Sequence, residues 1–110
     1  MYRKELLKGS TETLLLSLLS SEPMYGYQLV KEMGRRSSGF FRFKEGTLYP
    51  ALHRLERDGL VTGSWESSPT GQSRRYYHIT AQGQRRLQSM LEEWHLFIRA
   101  VNLVAQPDNP

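Results

Sequence analysis

The side chains able to do chemistry in this chain are few, and most of them are hydrogen-bond donors. The three histidines, His53, His78 and His95, stand in three different predicted elements. None has metal-ligand spacing to another histidine, and the chain has no cysteine. Glu92 and Glu93 are adjacent on a predicted helix and diverge by about 100°, so they are not an acid–base pair. Neither a glycine-rich phosphate loop nor a nucleophile elbow occurs. No catalytic residue, metal site or cofactor is expected, and the chain is not read as an enzyme. What remains is a concentration of donors, a flat ring and positive charge within residues 45–61: Thr47, Tyr49, His53, Arg54 and Arg57. On a helix turning about 100° per residue, Leu48, Ala51, Leu52 and Leu55 share one arc. Gly46, Pro50, His53 and Arg57 point the opposite way, flanked by Thr47, Tyr49 and Arg54. A short helix with an apolar back and a basic front suits a major groove, which admits an element of this width. A surface helix with solvated arginines is the plainer alternative.

Other elements must hold that helix in place, and its ends are written locally. The Pro50 ring clashes with a carbonyl four residues earlier, which sets the start near Gly46 or Thr47, with Thr47 as cap. Gly59 suits the position just beyond the last turn. Upstream, Ser10 or Thr11 caps a first helix running to about Ser20. Its Leu14, Leu15, Leu16, Leu18 and Leu19 cover roughly 200°. So wide an arc places this helix at the centre of the fold or against another subunit. Glu22-Pro23 ends it. Gly26, Leu29, Val30 and Met33 predict a second short helix ending at Gly34. The loop from Arg35 to Lys44 carries Phe40, Phe41 and Phe43, read as anchors tucked under the domain.

Downstream, Leu60–Ser67 and Ser73–Ile79 read as two strands joined by a turn at Ser68-Pro69-Thr70-Gly71-Gln72. Alternation puts Arg75, Tyr77 and Ile79 on one face and Arg74, Tyr76 and His78 on the other, without deciding which arginine points outward. Thr80 caps a last helix from about Ala81 to Val104. There Leu87, Leu91, Trp94, Ile98, Val101 and Ala105 are spaced 4, 3, 4, 3 and 4, a heptad seam widened by Met90, Phe97 and Val104. About 24 residues rising about 1.5 Å each reach about 36 Å. A domain of this size needs less, so the far end is expected to project and bury its seam elsewhere. Packing along its own domain is the alternative. Met1 to Gly9 reads as a frayed or partner-docked arm, and Gln106 to Pro110 as a disordered tail.

With 110 residues the chain makes one domain and one core. It has no apolar run near ~18 residues and no signal-peptide pattern, so a soluble, cytoplasmic protein without membrane contact is expected. The net charge of +4 is unevenly spread. Residues 35–86 hold ten of the fifteen Lys/Arg and four of the eleven Asp/Glu, a balance of +6, leaving −2 for the rest. That asymmetry favours a polyanion-binding surface. The element order is that of a winged helix-turn-helix. The fold expected is mainly α with a small β-hairpin: a DNA-binding domain over residues 1–80, a dimerisation helix over 81–105, and a tail over 106–110.

Five blocks carry a resemblance: Leu7-Lys8-Gly9-Ser10, Pro23-Met24-Tyr25-Gly26-Tyr27, residues 45–52, residues 55–61, and Arg75-Tyr76-Tyr77-His78-Ile79-Thr80-Ala81-Gln82-Gly83. In order and spacing, over about residues 6 to 105, the chain resembles the PadR-family transcriptional regulators. The resemblance implies a homodimeric bacterial repressor that releases double-stranded operator DNA when a small molecule or stress signal arrives. It implies a recognition helix over residues 46–58 with the family's tyrosine at Tyr49, a wing over about 66–74, and a dimerising helix over 81–105. It also implies the short class, without the extra helical domain of longer members. Some members of that class resemble multidrug sensors whose ligand lies between protomers beside a tryptophan, and Trp94 stands at the matching place.

The residues expected to face DNA are Thr47, Tyr49, His53, Arg54, Arg57, Arg74 and Arg75. Leu87, Leu91, Trp94, Ile98 and Val101 are expected to dimerise. Trp94, Met90, Phe97 and Leu15 are expected around a planar aromatic or hydrophobic effector. The turn Thr70-Gly71-Gln72-Ser73 departs from the family, whose wing is often richer in glycine and basic residues. The rival reading is a winged-helix module for protein–protein contact without DNA binding. Such a module needs no positive field, and the +6 balance argues against it. An RNA-binding winged helix is a third reading, which the sequence hardly separates from the first.

Overall fold

Leu15, Leu16, Leu18 and Leu19 of the first helix are all buried in one protomer, with Leu14 partly covered. The wide leucine arc is therefore that of a central helix. The computed structural model describes residues 10–106. The expected N-terminal arm, residues 7–9 of the first block and the tail beyond 106 lie outside the described residues. Helix α1 spans Thr11–Ser21, with Ser10 at its N-cap position, where the Ser10 carbonyl accepts from the Leu14 N–H at 2.9 Å.

A two-residue strand, β1 (Met24–Tyr25), follows and leads into helix α2 (Gly26–Arg36). Leu29 and Met33 are buried on α2, with Val30 partly so. The helix runs two residues beyond the expected stop at Gly34. It is closed by Ser38 and Gly39, whose φ values of 53° and 82° turn the chain left-handed, with the Gly39 N–H reaching back to the Gly34 carbonyl at 2.7 Å. Of the three loop aromatics, Phe43 is the buried anchor and Phe41 is partly covered. Phe40 is exposed, edge-on to Phe41 with ring centroids 5.0 Å apart, so the expectation holds for two of them.

Helix α3 spans Glu45–Arg57. Thr47 is not its cap. The N-cap position is Lys44, whose carbonyl accepts from the Thr47 N–H at 2.9 Å, so Thr47 lies inside the first turn. Pro50 deprives the Gly46 carbonyl of a donor, yet the helix starts at Glu45, one residue before the expected Gly46 or Thr47. The C-terminal end is as read. Gly59 has φ 78°, its N–H donates to the Glu56 carbonyl, and the Leu60 N–H donates to Leu55 at 2.9 Å. These two hydrogen bonds satisfy carbonyls in the last turn of the helix.

Strands β2 (Val61–Ser67) and β3 (Ser73–Ile79) form the hairpin, in register from Val61 opposite Ile79 to Ser67 opposite Ser73. Strand β1 pairs antiparallel with β3, giving a three-stranded sheet of order β1-β3-β2. The turn is closed by the Ser68 N–H on the Gln72 carbonyl at 2.7 Å, with Gly71 left-handed at φ 87°. Helix α4 (Ala81–Ala105) is capped by Thr80, whose hydroxyl accepts from the Gly83 N–H at 2.9 Å and donates to the Gly59 carbonyl at 2.7 Å. The end of α3 and the start of α4 are thereby tied at one residue.

Leu87 is buried, with Met90 and Leu91 partly covered, and Thr13 of α1 donates to the Met90 sulfur at 3.6 Å. From Trp94 onward α4 leaves the domain. The molecule measures 61 × 28 × 23 Å, and Phe97, Leu103 and Val104 are exposed. Leu87, expected in the dimer seam, and Leu15, expected beside the effector, are both buried in the protomer's own core. Among the described residues no helix is long and apolar enough to cross a membrane.

Candidate nucleic-acid interface

The buried row Leu48, Ala51, Leu52 and Leu55 pins one side of α3 to the core and fixes where the rest of the helix points. Tyr49 and His53 face the hairpin across a groove of about 440 Å³. Its other walls are Tyr25, Gly26 and Tyr27 at the start of α2, Glu45 in the first turn of α3, and Trp65, Arg74, Arg75 and Tyr77 from the hairpin. Arg54, on the far side of α3, reaches α1, where its Nε lies 3.3 Å from a Glu12 carboxylate oxygen. Arg57 points outward, with its Nε 3.1 Å from Asp58.

Tyr49 packs its hydroxyl against Gly26, where a Cβ would overlap the phenol oxygen. Burial first, then the neighbouring Glu45 charge and Tyr77, raises the Tyr49 pKa above its ordinary value. The group therefore stays a neutral O–H donor.

The hairpin decides which arginine faces where. Arg75 shares the inner face with Tyr77. Its Nη2 lies 2.7 Å from a Glu56 oxygen, and its guanidinium stands 5.8 Å from the Tyr77 ring. Arg74 lies on the other face. It stacks 4.4 Å over the Tyr25 ring, donates to the Tyr25 hydroxyl at 2.6 Å and to the Gln72 side-chain oxygen at 2.7 Å. Among the described residues Arg74 makes no ion pair. On that same face Glu66 accepts from Ser64 at 2.7 Å and meets the His78 Nε2 at 2.7 Å, which holds its carboxyl below the usual range. Ser64 donates to the carboxylate, an arrangement that braces the strand pair and does not activate the hydroxyl.

Three of the arginines expected to face DNA therefore carry acids that the sequence reading missed: Glu12 on Arg54, Asp58 on Arg57, and Glu56 on Arg75 of the hairpin. Partly exposed pairs of this kind are worth about 0–1 kcal/mol. A phosphate, which takes charge-assisted bonds from the same guanidinium groups, can replace such partners. Trp65, 68% exposed on the hairpin, was also missed, although an aromatic beside a turn is a readable signal. Of the expected effector group, Trp94 and Phe97 lie together on the projecting part of α4, rings stacked with centroids 5.8 Å apart. Met90 stands at the base of that stretch, half-covered by the core. No cluster of three metal-ligating side chains occurs among the described residues.

Residues 15–89 match the family model described as the transcriptional regulator PadR-like family. The chain belongs to this family. The PadR-like regulator of Bacillus cereus is 34% identical, with 94% of this chain and 99% of that one covered and a TM-score of 0.86. A transcriptional regulator of Mycobacterium tuberculosis is 33% identical over 84 residues, 76% of this chain and 75% of that protein. PadR of Bacillus subtilis, solved in complex with operator DNA, shares the fold at a TM-score of 0.65 and 24% identity, with 73% of this chain and 45% of that one covered. This PadR-like chain is thus a transcriptional regulator and not an enzyme, with the winged-helix fold of its relatives.

Proposed function

We propose that this PadR-like protein binds double-stranded operator DNA as a homodimer and acts as a repressor released by a small molecule between the protomers. The observation that carries the DNA reading is the groove between α3 and the hairpin, lined by Tyr49 and His53 from α3 and by Trp65, Arg74 and Arg75 from the hairpin. An α-helix of about 10–12 Å diameter enters a major groove about 12 Å wide. The sugar–phosphate strand bordering that groove then runs between α3 and the hairpin. Arg54, Arg57, Thr47 and His53 meet base edges or the near backbone, Tyr49 donates its hydroxyl, and Arg74 takes the phosphate at the wing. Phosphate contacts set register and base contacts set sequence. PadR of Bacillus subtilis, which shares this fold, was solved in complex with operator DNA, and this supports the DNA-binding reading.

The DNA-binding unit runs to about Thr80, and α4 is the dimerising helix, with Leu91, Trp94, Ile98 and Val101 in the seam. Two-fold symmetry then calls for a near-palindromic site with half-sites about 34–36 Å apart or a multiple of that spacing. The effector is planar and aromatic or hydrophobic. Trp94 and Phe97 are large, so they hold two crossing helices apart and leave flat walls for such a ring. A ligand there changes the spacing of the two α3 helices in proportion to its preference for one dimer geometry.

The test is binding to duplex DNA from upstream of the protein's own gene across a salt series. The expected log–log slope is close to −0.9 per phosphate contact. A protein–protein module in the same fold gives no salt-dependent duplex binding, and that result overturns the reading.

A further inference from the structure

We propose that Glu56 is a positioning residue: it clamps the hairpin to α3 at a fixed angle and so sets operator affinity without touching DNA. This rests on the DNA-binding reading above. Glu56 lies on the last turn of α3, on the side facing the hairpin. One of its oxygens, Oε2, accepts from two strands at once, from the Gly63 N–H of β2 at 3.2 Å and from the Arg75 Nη2 of β3 at 2.7 Å. β2 is an edge strand, so alternate N–H groups along it need partners outside the sheet, and Glu56 supplies one.

Gly63 has a specific part in this. A Cβ there would stand 2.6 Å from the Arg75 Nη2 and 2.7 Å from its Cζ. The bare backbone lets the guanidinium lie flat across β2 and reach the carboxylate. Gly63 is not among the glycines with positive φ, so the position uses the missing side chain and not a special backbone conformation. Three elements therefore meet at one carboxylate oxygen. The side chains of both charged partners are about one-third exposed, 31% for Glu56 and 33% for Arg75, so water screens the bond only in part.

The clamp sits between the buried base of the hairpin, Leu60 and Val61, and the outer part that carries Arg74 and the exposed Trp65. At about 3.3 Å per residue, residue 67 lies roughly 13 Å beyond Gly63, so a pivot of ~10° at the clamp moves it by about 2 Å. That distance is enough to break a hydrogen bond to a phosphate.

Charge alone predicts the reverse of what positioning predicts. Removing a carboxylate beside the duplex strengthens DNA binding through the field, whereas removing the clamp weakens it. Two variants separate these. Glu56→Gln keeps an acceptor for Gly63 but discards the ion pair. Gly63→Ala changes no charge and displaces the guanidinium, the movable end of a flexible side chain. Operator affinity is measured at fixed salt, together with melting temperature. Trp65 emission is followed without DNA in a Trp94→Phe background. Each variant is expected to weaken operator binding roughly fivefold, the upper end of what a partly exposed ion pair contributes. The double variant should be no weaker than the weaker-binding single, because one clamp is lost either way. Trp65 emission shifts in both variants while melting stays within a few degrees. Glu56→Gln binding as tightly as wild type or tighter, or two losses that add, overturns the clamp. If wild type binds no duplex, the DNA reading fails instead. Trp65 emission then decides the clamp, and an unshifted spectrum in both variants refutes it.

Discussion

Replacing Ile98 with aspartate separates dimerisation from folding, because the exposures along α4 divide the seam into two parts. Leu87 is 6% exposed and sits in the protomer core, whereas Trp94, Ile98 and Val101 are 43%, 37% and 41% exposed. An aspartate at position 98 reaches water in a free protomer, so the fold should persist, with a stability change of about 1 kcal/mol or less. In the proposed dimer the same carboxylate would be buried against a helix bearing its symmetry mate. Dehydrating an unpaired charge costs several kcal/mol after relaxation, and two-fold symmetry presents the cost twice. Even about 2 kcal/mol per protomer sums to about 4 kcal/mol, roughly a thousandfold in the dimer dissociation constant. Light scattering or sedimentation at micromolar concentration should find wild-type dimer and Ile98→Asp monomer, with near-equal helical circular dichroism. Leu87→Asp, by contrast, should unfold the protomer. An Ile98→Asp protein that dimerises as tightly as wild type refutes the seam, as does a monomeric wild type.

Three further outcomes follow from single positions. Arg74→Ala should weaken all duplexes alike and lower the salt slope by about 1, since a phosphate contact carries no sequence information; salt titrations on operator and random DNA check this. Gly83→Ala should cost about 1–3 kcal/mol, because its Cβ would run into the Leu60 carbonyl oxygen and stand 2.8 Å from Ile79 Cγ1. Thermal melting should register that as a loss of several degrees. Trp94→Ala should weaken planar aromatic ligands, followed by calorimetry, and leave operator affinity largely intact; an unchanged response to the natural effector makes Trp94 a packing residue only.

What could be read in the sequence were the features settled within a few residues. The back row of α3, the left-handed Gly59 that ends it, the Thr80 cap and the hairpin boundaries each depend on neighbours in the chain. The rest depended on distant partners. The acid on Arg54 comes from 42 residues away, so a helical wheel of α3 does not show it, and Glu56 of α3 finds its arginine 19 residues on, in the hairpin. Arg74 and Arg75 alternate by strand geometry, but only the packing of β3 on α3 says which turns inward. β1 has two residues, too few for alternation to register. The heptad along α4 gave a continuous stripe, and periodicity cannot tell that its first turns face the protomer's own leucines. Leu87, expected in the seam, is buried among those leucines.

Whether α3 reads DNA is decided by one titration: wild type and an Arg54→Ala/Arg57→Ala variant against a duplex from upstream of the protein's own gene at low salt. Each arginine that reaches a base should contribute about 1–3 kcal/mol, so the variant should bind tenfold or more weakly and discriminate less between operator and random sequence. Equal affinity of the two proteins for that duplex would contradict it.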